Sequence, residues 1–334
     1  MYFKNKRVLI IGGTGTIGKS LLKAILLQDP KFVRVFSRDE YKQYLLQNEM
    51  GNDQDIQYCL GDVRDEARVF QVMDGIDYVF HAAAMKHVPS CEFNPYEAVL
   101  TNIKGTYNVI HAAIARKVKK VVFTSTDKAI SPTNTYGATK LAAERLIASA
   151  QTIEGSHSTT FSSVRFGNVM GSRGSVIPLF TRQIREHKKI TVTDLKMSRF
   201  MMTLEEATNL TMKALQYSTG GEVFVLKMPV VNLQDLAKVV IEETCNKYDI
   251  KCDSVGIEEI GLRPGEKMYE ELMTEDESLT ALELPDMFVI PASPANLADY
   301  NGAKPVTKGT YRSDDQSPMT LEDLRTRIIK EKLI

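Results

Sequence analysis

A doubly wound, mainly parallel α/β sheet with a smaller C-terminal α+β lobe is the fold this sequence predicts. Three observations predict it. Six short apolar runs rich in β-branched residues recur through the first 167 residues. Helical patterns lie between them. A glycine-rich turn closes the first run and opens the first helix. Strands buried on both faces read as continuous apolar runs, and right-handed crossovers place helices on both sides of the sheet.

The strand runs are Arg7–Ile11, Phe32–Phe36, Ile56–Leu60, Tyr78–His81, Lys120–Thr124 and Phe161–Phe166. Helices are expected near 16–28, 39–49, 65–73, 95–116 and 135–151. Beyond residue 167 the pattern loosens into a Gly/Ser/Arg loop (Gly167 to Gly174), a helix at 178–187 and a short strand at 190–193. A helix at 204–217, a strand at 222–226, a helix at 232–247 and a strand near 252–257 follow. The expected division is therefore 1–167 and 168–334, with strands of the second part free to rejoin the first sheet. From Pro285 onward the chain holds five of its twelve prolines, which predicts a segment that wraps the surface. Ser317-Pro318 suits the start of a last helix.

Composition excludes several classes. Lys plus Arg number 42 and Asp plus Glu number 42, so no overall field exists to hold nucleic acid or an anionic membrane. No apolar run reaches the ~18 residues of a membrane span. The basic start and short apolar run at the N-terminus lead into glycines and a helix, which reads as a strand and not a signal peptide. Cys59, Cys91, Cys245 and Cys252 form no CxxC pair and read as reduced thiols. A cytoplasmic protein is expected. His81, His87, His111, His157 and His187 show no metal-ligand spacing, so no metal is expected, and His81 reads as a structural strand-end residue.

The strongest local signal is the run from Gly12 to Gly18, directly after the first strand. Gly12 makes the tight turn, Gly15 lets backbone approach a pyrophosphate, and Gly18 lets the helix pack close. Thr14, Thr16 and Ile17 lie in the same turn, at a helix N-terminus whose free N–H groups suit phosphate. This is the phosphate loop of a Rossmann-type dinucleotide domain. The second strand ends in Ser37-Arg38-Asp39, with Lys42 one turn on. An acid alone at this tip takes the ribose hydroxyls of NAD. A guanidinium here can pair with a 2′-phosphate, so NADP is favoured, with Asp39 on the ribose as the alternative. Asp62 and Val63 close the third strand toward the adenine, and Ala82, Ala83 and Ala84 close the fourth with little bulk.

Tyr136 and Lys140 are four residues apart and share a helix face. A tyrosine with a pKa of about 10 needs a nearby ammonium to act as a base at neutral pH. Behind a dinucleotide loop this pair reads as catalytic, with Lys140 also reaching the nicotinamide ribose. The fifth strand then ends in Thr126-Asp127-Lys128, an acid and an amine side by side. One can remove a carbon-bound proton while the other protonates a leaving hydroxyl.

With these residues in view, the chain resembles the extended short-chain dehydrogenase/reductases that act on nucleotide sugars. The runs SRDE (37–40), GDVRD (61–65), HAAAMKHVP (81–89), STDKA (125–129), YGATK (136–140), FGNVMGSRGSVIP (166–178) and RPGEK (263–267) are together similar to the short, soluble, inverting UDP-N-acetylglucosamine 4,6-dehydratases. The resemblance implies a sequence of steps. Tyr136 takes the C4 hydroxyl proton as hydride passes to NADP. Lys128, in its neutral form, takes the C5 proton, and burial beside Lys140 is expected to keep it neutral. Asp127 protonates the departing C6 hydroxyl. Hydride returns to C6, and reprotonation on the opposite face inverts C5. It also implies a UDP-GlcNAc grip: Lys86 and Thr126 toward the sugar, Asn168 and Val169 near sugar and nicotinamide, and Arg173 and Val176 on a lid. Thr193, Met197 and Arg199 would face the nucleotide, and Arg263 and Glu266 would take diphosphate and ribose. Asn102 would stand at the cofactor and brace the active-site loop. The alternative for Lys86 is a solvated loop lysine. Phe166 and Met85 replace the tyrosine and leucine frequent in the family. A homo-oligomer through helices 95–116 and 135–151 is the family default. A 5,6-dehydratase and a UDP-sugar 4-epimerase keep the same fold, although an epimerase would place small or hydroxyl residues at Asp127-Lys128. An NADP-binding sensor without turnover would need none of the four catalytic side chains.

Overall fold

The computed structural model describes residues 1–51, 54–153, 158–172, 174–292, 300 and 302–334. The first half alternates strand and helix: β1 (Arg7–Ile11), α1 (Thr16–Leu26), β2 (Phe32–Ser37), α2 (Glu40–Met50), β3 (Ile56–Leu60), α3 (Glu66–Val72) and β4 (Tyr78–His81). There follow α4 (Val88–Phe93), α5 (Pro95–Ala98), α6 (Gly105–Ala115), β5 (Lys120–Thr124), α7 (Thr135–Ile153) and β6 (Thr160–Arg165). The second half holds β7 (Asn168–Val169), α8 (Val176–His187), β8 (Lys189–Val192), β9 (Ser198–Met202), α9 (Leu204–Tyr217), β10 (Val223–Leu226), β11 (Val230–Asn232) and α10 (Leu233–Tyr248). It closes with β12 (Gly256–Glu259), β13 (Glu271–Met273), α11 (Glu275–Ser278), β14 (Leu282–Glu283), β15 (Met287–Ile290), β16 (Lys304–Pro305), β17 (Tyr311–Arg312) and α12 (Leu321–Lys330).

The main sheet runs β3-β2-β1-β4-β5-β6-β10-β15-β14-β16. From β3 to β10 every pairing is parallel. The last three strands run antiparallel. In β1, Val8 and Ile10 pack into one hydrophobic cluster while Leu9 and Ile11 pack into another, so the strand's period of two fills both faces. The order in which successive strands join the sheet reverses between β1 and β4. Ligands of open α/β sheets bind at such a switch point, beyond the carboxyl ends of the strands. A third cluster, built on α8, α10 and α12, forms the lobe that faces this edge.

Four local expectations need correction. The helix expected over 95–116 is α5 and α6 joined by a π-helical turn, Val99–Lys104. That widened turn carries Asn102, whose side chain bonds across to Met85. Second, the strand expected near 252–257 starts only at Gly256, because Cys252–Ser254 make a 3₁₀ turn. The last helix is capped by Thr320, whose hydroxyl accepts from Asp323 N at 3.1 Å, while Pro318 bridges to Val230. Finally, the stretch after Pro285 is no surface wrap throughout. β15 is a largely buried strand paired to β10, because Met287 and Val289 alternate inward between prolines. Among the described residues no helix is long and apolar enough to cross a membrane.

Candidate active site

The glycine loop has little spare room. Gly12 adopts φ +84°, and a Cβ there would lie 2.7 Å from Ala83 N. A Cβ on Gly18 would lie 2.4 Å from Gly12 O, so α1 packs directly on the turn. Gly15 has only Gly12 O near its missing Cβ, at 3.2 Å, and its open side faces the cleft. α1 starts at Gly15 with no side-chain cap and no acid in its first turn. By contrast, α2 and α3 are capped by Asp39 and Asp65. α1, whose N-terminus lies at the switch point, is left without a side-chain cap, which suits an anion. The loop therefore fits a dinucleotide pyrophosphate.

A side pocket of about 190 Å³ continues from the loop. Thr14, Ser37, Asp62, Val63 and the Ala82–Ala84 backbone line it. Arg38 and Lys42 border both this pocket and the main cleft. Asp39 also reaches the pocket wall, yet its Oδ1 accepts from Lys42 N at 3.0 Å and its Oδ2 pairs with Lys42 Nζ at 2.5 Å. Asp39 is committed to capping α2. Arg38 is 60% exposed, and among the described residues its only ion-pair contact is a long one, 3.9 Å to Asp62.

The main cleft, about 820 Å³, runs from the loop past the ends of β4 and β5 into the lobe. Tyr136, Lys140, Thr126, Asp127 and Lys128 line it together. Asp127 and Lys128 form a single 3₁₀ turn at the end of β5, with Thr126 as its cap. Lys128 Nζ donates to Asp127 Oδ2 at 2.8 Å, and Thr126 Oγ1 donates to Asp127 Oδ1 at 2.8 Å. Tyr136 is in hydrogen-bond contact with Thr126. Burial pushes the phenol up to about 12, against the pull of the Lys128 ammonium. The largest cationic influence on Tyr136 is thus Lys128, where the sequence reading looked to Lys140. Lys140 Nζ donates to Thr124 O at 2.5 Å and sits 3.8 Å over the Phe123 ring. Burial lowers it to about 7, with Glu144 one turn on opposing the shift.

The expectation of a neutral Lys128 is also corrected. Burial works against its charge, but Asp127 and Glu270 outweigh burial and raise its pKa. Glu270 Oε1 lies 3.6 Å from Lys128 Nζ. Lys128 is held as an ammonium between the carboxyl groups of Asp127 and Glu270.

Asn102 sits behind the cleft. Its Oδ1 accepts from Met85 N at 2.8 Å, and its Nδ2 donates to Met85 O at 3.0 Å and Thr139 Oγ1 at 3.0 Å. Its amide is spent on protein, so it braces the Met85 loop against α7 and does not line the cofactor cleft, as the sequence reading had expected. His81 is buried, pushed down to about 3 by burial and by the Lys140 charge, and its Nε2 meets Thr106 Oγ1 at 3.0 Å.

In the lobe half of the cleft, Asn168, Val169, Val176, Thr193 and Met197 all face the cavity, and Lys86 lies on its exposed lip. Arg263 and Glu266 close the far end across a tight turn, with Glu266 N donating to Arg263 O at 3.0 Å. Arg199 reaches the wall, but its guanidinium is engaged. It donates to Ser198 O, Met268 O and Lys267 O at 2.9, 3.1 and 2.9 Å. It braces the 267–270 backbone more than it offers a free clamp. Arg173 and His157 lie outside the described residues.

Three groups escaped the sequence reading. Glu270 follows RPGEK by three residues and looked like one of many exposed acids. Lys267, the last residue of that run, donates to Ile130 O at 2.9 Å. Gly137, inside YGATK, packs against the Lys128 peptide: a Cβ there would lie 2.0 Å from Lys128 O. Gly137→Ala should therefore push the Lys128 turn off α7 and cost about 10²-fold in turnover, the scale of an ångström misplacement. A folded Gly137→Ala variant with parental kcat would contradict that packing argument.

Comparison with known proteins gives three kinds of match. Residues 8–292 match the model of a family described as polysaccharide biosynthesis protein. A solved structure, Pen from Bacillus thuringiensis, is 63% identical over the whole of both chains and superposes with a TM-score of 0.94. The inverting UDP-N-acetylglucosamine 4,6-dehydratase of Campylobacter jejuni is 40% identical over 87% of this chain and 84% of its own. The UDP-glucose 4-epimerase of Rickettsia rickettsii is 38% identical over 98% of this chain and 96% of its own.

Proposed function

Because the chain belongs to the polysaccharide biosynthesis protein family, whose relatives here are named as nucleotide-sugar dehydratases and epimerases, we propose that it dehydrates UDP-N-acetylglucosamine with a tightly held NADP. The observation that carries the choice is the Asp127–Lys128 pair beside Tyr136, with Asp127 buried and Lys128 half-buried on the cleft. Taking a carboxylate out of water costs several kcal/mol before pairing returns it. An epimerase, which only moves hydride on and off C4, has no task for such a pair. A dehydratase has one.

The chain's own groups supply the proton movements. Tyr136, with the Lys128 ammonium favouring its phenolate, takes the proton of the C4 hydroxyl. A bound nicotinamide supplies the hydride acceptor and donor. Moving one proton along the 2.8 Å bond from Lys128 Nζ to Asp127 Oδ2 creates an amine and a carboxylic acid together. The amine takes the C5 proton, made acidic by the C4 ketone. The acid protonates the C6 hydroxyl, which leaves as water. Lys128 ends as ammonium and Asp127 as carboxylate, so elimination restores the resting pair. Reduction of the enone at C6, with a solvent-derived proton added at C5 on the opposite face, releases the inverted 4-keto-6-deoxy sugar, and Tyr136 returns its proton to solvent. Arg263 and Glu266 would hold the diphosphate and ribose, with Thr193, Met197 and Val176 around the nucleotide.

The test is turnover of UDP-GlcNAc in deuterium oxide followed by proton NMR. A 4-keto-6-deoxy product carrying deuterium at C5 is expected. A 5,6-alkene would move hydride return to C4 while keeping the elimination, and a C4 epimer would overturn the proposal. The cofactor choice has its own check. Arg38→Ala should weaken NADP by about tenfold, the loss of about 1.4 kcal/mol of charge-assisted bonding, and leave NAD nearly unchanged in direct binding. Equal loss for both would place the 2′-phosphate elsewhere.

A further inference from the structure

The segment between the Arg263–Glu266 turn and β13 brings a carboxylate to the elimination site. Glu270 is 6% exposed, and its side chain is held from four sides. Its Oε1 accepts from Asn168 Nδ2 at 2.7 Å and lies 3.5 Å from Arg199 Nε and 3.6 Å from Lys128 Nζ. Its Oε2 accepts from Phe200 N at 2.9 Å, and its backbone N donates to Ser313 Oγ at 2.9 Å. So rigid a buried acid is costly unless it serves its partners.

The same segment touches the catalytic turn twice more. Gly265 O accepts from Thr133 Oγ1 at 2.8 Å and Asn134 Nδ2 at 3.2 Å. Lys267 Nζ donates to Ile130 O. Residues 265, 267 and 270 thus ride along the 128–134 loop, with the nucleotide end of the cleft at one extreme and Lys128 at the other.

We propose that Glu270 is a positioning residue for elimination: it anchors Lys128 Nζ beside Asn168 and ties that amine to the segment carrying Arg263 and Glu266. This deepens the dehydratase reading and rests on it. With Asp127 alone, the ammonium would have one buried acceptor and could follow it. With Glu270 opposite, it is suspended over the cleft. The charged and titratable groups around Lys128 are Asp127, Glu270, Tyr136 and Lys267, and Arg199 faces Glu270 from β9. Burial and the Asp127 charge raise the Glu270 carboxyl while Lys128 and Arg199 oppose that shift; once it is ionised, removing the Glu270 charge leaves Lys128 with one fewer anion, so Lys128 should lose its proton at lower pH.

Two variants separate charge from position. Glu270→Gln keeps the shape and should lower kcat for water loss by about 10²-fold with little change in KM. It should also move the rising limb of the pH–rate profile down by about one unit or more. Glu270→Asp keeps the charge but retracts it, and should retain the parental pH limb while still losing kcat. Reduction of the nicotinamide on mixing with UDP-GlcNAc, the work of Tyr136, should survive in both. A Glu270→Gln enzyme with the parental pH limb and kcat would overturn the assignment, as would a Glu270→Asp enzyme whose limb shifts as Gln does. If the parent enzyme itself releases no water from UDP-GlcNAc, the dehydratase reading fails first, and the two failures are distinguished.

Discussion

Lys128→Ala is expected to lower the rate of water loss from UDP-GlcNAc by 10²- to 10⁴-fold, the range set by removing a general base (about 3–5 kcal/mol of barrier). The effect should be selective. Exchange of the C5 proton with solvent should vanish, because the other amine at the end of β5, Lys140, is held on Thr124 O. Oxidation at C4 should persist in part and appear as nicotinamide absorbance that rises and does not decay. Tyr136 would then lose the cation that favours its phenolate, so this oxidation should shift to higher pH. Stopped-flow absorbance and NMR exchange read the two steps separately. Normal product from Lys128→Ala would make the base another group and remove the reason for the Asp127–Lys128 pair.

Arg165→Met is expected to destabilise the protein by about 3–5 kcal/mol, the cost of leaving buried carboxylates without their counter-ion. Arg165 is fully buried. It donates to Glu144 Oε1 at 2.5 Å, to Glu277 Oε2 at 3.0 Å and to Leu272 O at 2.8 Å. One cation therefore joins α7, β6 and α11. Glu144 lies one turn beyond Lys140, so the catalytic helix depends on this knot for its seat. Burial opposes the charge of Glu277, but Arg165 prevails and holds its carboxyl below the usual range. A depressed folded pKa contributes stability above the unfolded value of about 4.3, and that stability is lost as pH falls through the folded value. The parent should thus show an acid-labile component below about pH 4. Arg165→Met should lack it, since unpaired buried carboxylates favour their protonated forms. Urea unfolding across pH 3–7 measures both effects. A loss under 1 kcal/mol at neutral pH would contradict them.

Much of this architecture was legible in the sequence because local signals carried it. The apolar runs from Arg7 to Thr124 became strands within a residue or so, since buried parallel strands have a nearly continuous apolar pattern. The Gly12–Gly18 turn and the Tyr136–Lys140 spacing also depend only on near neighbours. Nonlocal placement was not legible. β15 joins the main sheet by pairing with β10, and its flanking prolines hid it. The π turn at Val99–Lys104 breaks the helical period that predicted one long helix. Within the site, residue types were readable and their electrostatics were not. Tyr136 and Lys140 share a helix face, yet the charge that matters to the phenol arrives from Lys128 on a different element. Glu270 comes from more than a hundred residues downstream, and only folding sets it against Lys128.

The central claim is that Asp127 and Lys128 remove water from a hexose, and a heavy-oxygen label at C6 of UDP-GlcNAc tests it most directly. The account predicts that the label appears in solvent water at the rate of product formation, and that Asp127→Asn slows its release. Product that retains the label at C6, with C4 inverted or unchanged, would contradict it.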